Sequence, residues 1–298
     1  MPILDHQNVL KGLTVREAMR RQVIRLPWEG PLDQAIRATI KYKVNAILAV
    51  DDDQQGLGVV SKTDLMGAYY AGLLIDTPLA AVMVGPPLFC RPEDTLDAAL
   101  DVMRSNRVHR LYVTGETPPQ IIGVLAYPDI VGLLYRYCTR CDRSLKGRTS
   151  PPGAPLDRFL VKEVMTPEVF ALKQEDSLQT VMEGLAAYRF GAVLITDATG
   201  LPAGVVSKTD LIAAYLHGVS ARVPAKKVMT APVTAVDGNA PLAEALKTMI
   251  FADLHRLFVY KKSPRNLVGV LSLSDVARFR SGACRACLAS RIRVEDGG

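Results

Sequence analysis

The eight residues Gly58-Val59-Val60-Ser61-Lys62-Thr63-Asp64-Leu65 recur letter for letter as Gly204 to Leu211, a shift of 146 positions. The same shift carries Met19 onto Met165, Val82-Met83 onto Val228-Met229 and His109-Arg110-Leu111 onto His255-Arg256-Leu257. It also carries Gly123-Val124-Leu125 onto Gly269-Val270-Leu271, Asp129 onto Asp275 and Cys138 onto Cys284. A 298-residue chain that maps one half onto the other without insertion is a duplication, and a repeat of this kind decides the architecture before local propensities do.

Each half contains two weaker copies of one unit. An Ala/Val-Met pair precedes a helical stripe, a strand, a short turn, a second strand, and an aspartate that opens another helix. The stripes are Leu32, Ala35, Ile36, Thr39 and Ile40, then Leu96-Ala99-Leu100-Met103, Leu178-Val181-Met182-Leu185 and Leu242-Ala245-Leu246-Met249. Their three-to-four-residue spacing is that of a buried helix face, so they are read as core. Strands are expected at Val44 to Val50, Arg110 to Thr114, Gly191 to Thr196 and Arg256 to Tyr260, each followed by a turn and a run entering through Gly58, Gly123, Gly204 or Gly269. The fold class is therefore mixed α/β (α+β): β-α-β-β-α four times, paired within each half and then half against half in a pseudo-symmetric, disc-like assembly. The expected units are 13–76, 77–143, 159–222 and 223–284, with a linker at 144–158 around Ser150-Pro151-Pro152-Gly153 and a tail at 285–298. A unit so small buries too little by itself to be stable alone.

Composition narrows the function classes. Hydrophobic residues are 49% and charged residues 22% of the chain, a balance that excludes disorder as the main state. The net charge of +6 could mark a nucleic-acid surface or gather around phosphate-bearing small ligands. No run of Lys and Arg exceeds two residues, and Trp28 is the only tryptophan, which favours the small ligand. The segments outside the units, Met1 to Gly12 and Ser281 to Gly298, are too short for a helix-turn-helix, which argues against nucleic acid. No basic, then apolar, leader opens the chain and no apolar run approaches a membrane span, so a cytoplasmic protein without membrane partners is expected. Five cysteines then read as thiols or metal ligands. Cys90, without a counterpart in the other half, reads as buried.

The repeated Gly-φ-φ-Ser-x-Thr-Asp stretch lies at a strand-to-helix junction. Glycine there permits close backbone approach, hydroxyls and a helix N-terminus offer donors to a phosphate, and a carboxylate suits the vicinal diol of a ribose. The competing reading is that Ser and Asp only cap the helix, a role both favour. Identity over eight residues between otherwise drifting halves argues for more than capping.

Gly58 to Asp64, Gly204 to Asp210 and Gly269-Val270-Leu271-Ser272-Leu273-Ser274-Asp275 resemble the G-φ-φ-[ST]-x-x-D signature of CBS domains. The preceding Val-Met elements and the His-Arg-Leu strand starts fit the same family, over residues 13–140 and 159–280. Each half is similar in layout to a Bateman module, a pair of CBS motifs. The resemblance implies a non-catalytic sensor that binds an adenosyl ligand (AMP, ADP, ATP or S-adenosylmethionine) between paired motifs and signals to a regulated protein. Carried across, Asp64, Asp210 and Asp275 would hold ribose hydroxyls, while Ser61, Thr63, Ser207, Thr209 and Ser272 would bond ribose or phosphate. The backbone at Ala46-Ile47 and Ala192-Val193 would line the base. Asp129 is the counterpart in the second unit, where Ala126 replaces the hydroxyl and Pro128 removes a donor. His109-Arg110 and His255-Arg256 would face phosphates, arginine through its fixed donor fork, with Lys62 and Lys208 adding charge. Ordinary surface roles compete for these basic residues.

Two C-x-x-C pairs, Cys138/Cys141 and Cys284/Cys287, stand in the same 146-residue register. Converging, they would make a Cys₄ site for zinc or an iron–sulfur cluster; apart, they would be redox pairs or inherited duplicates. They supply the alternative function, a metal- or redox-responsive scaffold. Head-to-head packing of the halves would bring the second and fourth units, and these cysteines, together. Catalysis is not expected, since no P-loop or nucleophile–histidine dyad is evident. A monomeric disc and a homodimer both remain open.

Overall fold

The computed structural model describes residues 12–115, 120–133, 159–252 and 254–278. The β-α-β-β-α order is present four times. In each unit a short first strand, β1 (Arg25–Pro27), β4 (Phe89–Cys90), β7 (Ala171–Lys173) or β10 (Ala235–Asp237), lies parallel to a middle strand. The middle strands are β2 (Ala46–Val50), β5 (Arg110–Thr114), β8 (Ala192–Thr196) and β11 (Arg256–Lys261). Parallel pairing needs a crossover, and the apolar stripes supply it as α2 (Leu32–Lys41), α4 (Leu96–Ser105), α6 (Leu178–Ala187) and α8 (Leu242–Phe251). An antiparallel third strand follows: β3 (Gly56–Ser61), β6 (Ile121–Ala126), β9 (Pro202–Ser207) or β12 (Ser263–Ser272). It runs straight into the closing helix, α3 (Lys62–Tyr70), α5 (residues 127–133), α7 (Lys208–Leu216) or α9 (Leu273–Arg278). A one-turn helix α1 (Val15–Ala18) leads the first unit.

The four units close a ring. The first and third bury their helices together in one core that includes Leu32, Ile36, Leu65, Leu178, Leu185 and Leu211. The second and fourth do the same with Leu96, Met103, Ile130, Leu242, Met249 and Val276. Within the first half, the sheets meet through Leu48, Val50, Tyr112, Ile121 and Val124. The halves are thus packed head-to-head, first unit on third and second on fourth. Between α3 and α7, Tyr69 and Tyr215 stack with ring centroids 5.0 Å apart. Each donates its hydroxyl across the interface, Tyr69 to Val219 O and Tyr215 to Leu73 O, both at 2.7 Å.

Each half is also interlocked internally. The Met-bearing segment that leads one unit crosses the sheet of its partner: Arg20 bridges to Val124, Val84 to Val59, Thr166 to Val270 and Thr230 to Val205. These crossings explain the motif glycines. A Cβ at Gly58 would lie 2.8 Å from Met83 Sδ, and one at Gly269 would lie 2.7 Å from Thr166 O. The close approach expected of the glycine is made by this crossing segment of the chain itself.

The stripe of α2 is buried as the spacing predicts, except that Ile40 is only half-buried. Thr39 is fully buried and its hydroxyl has no hydrogen-bond partner among the described residues, whereas the matching positions are Met103, Leu185 and Met249. Replacing an unpaired buried hydroxyl by a methyl of the same shape removes a desolvation cost, so Thr39→Val is expected to raise unfolding stability by about 1 kcal/mol. Gly269→Ala drives a Cβ into a backbone carbonyl and is expected to cost about 1–3 kcal/mol. Gly67→Ala, in the exposed interior of α3 with nothing within 4 Å of the new atom, is expected to add about 0.5–1 kcal/mol. Denaturant unfolding of the three variants checks all three signs.

Candidate ligand-binding clefts

The motif serine is a helix N-cap, as the capping reading held. Ser61 Oγ accepts from Thr63 N at 3.2 Å and Asp64 N at 3.4 Å, and Asp64 Oδ2 accepts from Ser61 N and Ser61 Oγ, both at 2.7 Å. Ser207 with Asp210 and Ser272 with Asp275 repeat the box, with backbone bonds of 2.7 and 2.8 Å to Oδ2. Where alanine stands, Ala126 N still donates to Asp129 Oδ2 at 2.8 Å. One carboxylate oxygen therefore does the same structural task in all four units.

The second oxygen is where the units differ. Among the described residues Asp64 Oδ1 and Asp275 Oδ1 make no hydrogen bond. Asp210 Oδ1 accepts from the Thr230 hydroxyl at 3.2 Å. Asp129 Oδ1 pairs with Arg20 Nε at 2.7 Å. Both Thr230 and Arg20 arrive on the crossing segments described above, so sequence distance hid them. The register of the Met-X pairs is the signal that could have found them.

A cationic layer joins the two halves beside these carboxylates. Lys62 Nζ donates to Thr209 Oγ1 at 2.9 Å and Lys208 Nζ donates to Thr63 Oγ1 at 2.7 Å, a reciprocal pair across the duplication. Burial pushes the Lys208 ammonium down to about 8; nearby Arg256 adds to the shift and Asp64 opposes it. Burial likewise pushes the Arg256 guanidinium down to about 10, against the pull of Asp275. Lys208, Arg256, Asp64 and Asp275 are thus electrostatic neighbours drawn from three of the four units. Ala46 pairs in register with Ser61 and Ala192 with Ser207, which sets the backbone expected to line the base beside the motif.

The two His-Arg pairs, alike in sequence, are placed differently. Arg110 donates from Nη1 to Ala46 O at 2.8 Å, while Arg256 lies over Gly191, where a Cβ would collide with its guanidinium. His255 Nδ1 meets Asn45 Nδ2 at 3.1 Å, whereas exposed His109 packs edge-on to Tyr127 with centroids 5.5 Å apart. The cause is the mismatch of Asn45 with Gly191 at the equivalent position before the middle strand. Asn45 carried no signal of its own in the sequence.

Cys90 is buried as read, and burial, helped by Asp94, pushes its thiol up to about 12. Cys138, Cys141, Cys284 and Cys287 lie outside the described residues, as does the 144–158 linker. Among the described residues no three His, Cys, Asp or Glu side chains gather as metal ligands, and no helix is long and apolar enough to cross a membrane.

A four-unit ring with a capped Ser-x-x-Asp carboxylate at each strand-to-helix junction, or its Ala126 variant, is the architecture of tandem CBS motifs. Residues 15–71, 79–136, 161–217 and 225–282 each match the CBS domain family, and the chain belongs to it. It is similar to the uncharacterized protein MJ1225 of Methanocaldococcus jannaschii, 21% identical over 66% of this chain and 68% of that one. Uncharacterized protein MJ1404 of the same organism is 20% identical over 89% of this chain, which spans only 61% of that protein. The crystal structure of MJ1225 superposes with a TM-score of 0.74 at 13% identity, covering 90% of this chain and 99% of that one. An uncharacterized conserved protein from Pyrococcus horikoshii superposes at 0.57 and 17% identity, with the same coverage. At these identities the likeness is one of fold.

The Lys208 shift has a measurable consequence without any ligand. A lysine whose folded-state value lies below its unfolded one binds fewer protons when folded, so stability rises with pH between about 8 and the ordinary lysine value. Thermal unfolding is expected to show this rise on going from pH 8 to pH 9, below the range where the raised Cys90 thiol makes stability fall with pH, and Lys208→Met is expected to flatten it.

Proposed function

We propose that this chain is a regulatory sensor without catalytic activity of its own, which binds an adenosyl ligand in its clefts and signals to a partner protein. The observation that carries the reading is the open Oδ1 of Asp64 beside Lys208, a lysine from the other half whose charge is held in a partly desolvated site with Arg256 behind it. A ribose diol would donate to the carboxylate. A phosphate or carboxylate tail would accept from Lys208, Arg256 and the Thr63 and Thr209 hydroxyls. Such a ligand touches three units at once and replaces the Lys–Thr bonds that join the halves, so its binding free energy would bear directly on how the halves pack. That differential contact is what a partner could read.

The test is thermal unfolding with AMP, ADP, ATP and S-adenosylmethionine in turn. A ligand at a hundred times its dissociation constant stabilises by about 2.7 kcal/mol, a clear rise in midpoint. We expect a selective rise with at least one of the four, lost in the Asp64→Ala/Asp210→Ala double variant. No rise with any of them would remove adenosyl sensing and leave the family assignment untouched.

A further inference from the structure

We infer that Arg20 decides which clefts of this chain can accept a ribose, because it occupies the carboxylate of the second unit from within. The inference rests on the adenosyl-binding reading and goes beyond it by assigning occupancy. Four crossing segments deliver three kinds of residue to equivalent places: Arg20 to the second unit, Val84 to the first, and a threonine to each of the others, Thr166 to the fourth and Thr230 to the third. Valine offers nothing to a carboxylate. A threonine hydroxyl is neutral and can rotate away from an incoming diol. Arginine alone brings a charge.

At Asp129 both oxygens are engaged, Oδ1 by Arg20 Nε at 2.7 Å and Oδ2 by Ala126 N at 2.8 Å. The Asp129 side chain is 8% exposed, and burial pushes its carboxyl above the usual range while Arg20 pulls it back. Arg20 is therefore the counter-ion that a buried carboxylate requires, and a neutral diol is a poor substitute for it. The surroundings agree. The space beside Asp129 is bordered by Glu17, Ala18, Pro128, Gly132 and Leu133, which bring a carboxylate and apolar atoms where the first and third units present lysine and threonine. Ala126 and Pro128 also remove a hydroxyl and an N–H that the other motifs keep.

Ligand bound per chain, measured by equilibrium dialysis with labelled AMP, ADP, ATP and S-adenosylmethionine, separates the determinants. Ala126→Ser/Pro128→Ser restores the missing donors but keeps Arg20; it is expected to bind the same number as the unaltered protein. Adding Arg20→Thr, the residue the third and fourth units carry at this place, is expected to raise the count by one. A complementary variant, Thr166→Arg, places an arginine opposite Asp275 and is expected to lower the count by one. A gain in the serine variant alone, no gain on adding Arg20→Thr, or an unchanged count in Thr166→Arg each overturns the role of Arg20. Failure of the unaltered protein to bind any of labelled AMP, ADP, ATP and S-adenosylmethionine in the same dialysis overturns the adenosyl reading itself, and that outcome is seen before any variant is compared.

Discussion

Two apolar faces that a three-stranded sheet with two helices cannot both cover by itself govern this structure. Every unit leaves a helix face and a sheet face to be buried, and the ring of four is the arrangement that closes both kinds. Leu32, Ile36 and Leu65 find their partners in Leu178, Leu185 and Leu211, not within their own unit. Leu48 and Val50 find theirs in Tyr112, Ile121 and Val124 of the neighbouring sheet. The core therefore belongs to the assembly, and burial at this scale is the main favourable term in folding. The crossing Met segments tighten it, since a unit whose leading segment lies on its neighbour's sheet cannot separate without losing part of that neighbour's packing.

That same ring is what creates the candidate sites. Helix-to-helix packing of the first and third units brings α3 and α7 N-termini face to face, which is why Lys62 reaches Thr209 and Lys208 reaches Thr63. The polar layer is thus a by-product of a hydrophobic contact, and its lysines add positive charge where two positive helix ends already meet. Motif aspartates moderate that charge, and the depressed Lys208 and Arg256 values record how far it is desolvated. A site with surplus positive charge and open carboxylate oxygens suits a molecule carrying an anionic group and a diol. On the proposed reading, its position between the halves would tie occupancy to their relative packing.

Much of this was legible in the residues. The 146-residue register announced the two halves, the stripes announced α2, α4, α6 and α8, and the Ser-x-x-Asp boxes announced both the caps and the candidate clefts. The first strands were not placed, because two or three residues are too few to show alternation; they exist only as parallel partners of the middle strands across a crossover helix. Asn45 had no signal at all, and the roles of Arg20 and Thr230 were hidden in the register of the Met-X pairs, for a different reason. Each acts on a unit other than its own, and nothing in their local sequence names that unit.

The chain's sequence by itself determined the number of units, their secondary structure, their family and the carboxylate and hydroxyl at the head of each closing helix. These follow from local periodicity, capping chemistry and repetition, all of which act within a few residues. Only the tertiary structure decided that first packs on third and second on fourth, that the motif glycines make room for a crossing methionine segment, and that Asp129 Oδ1 is paired with an arginine while Asp64 Oδ1 has no hydrogen bond among the described residues. Those outcomes depend on which apolar faces meet across the ring, a contact between residues up to hundreds of positions apart that no local pattern encodes.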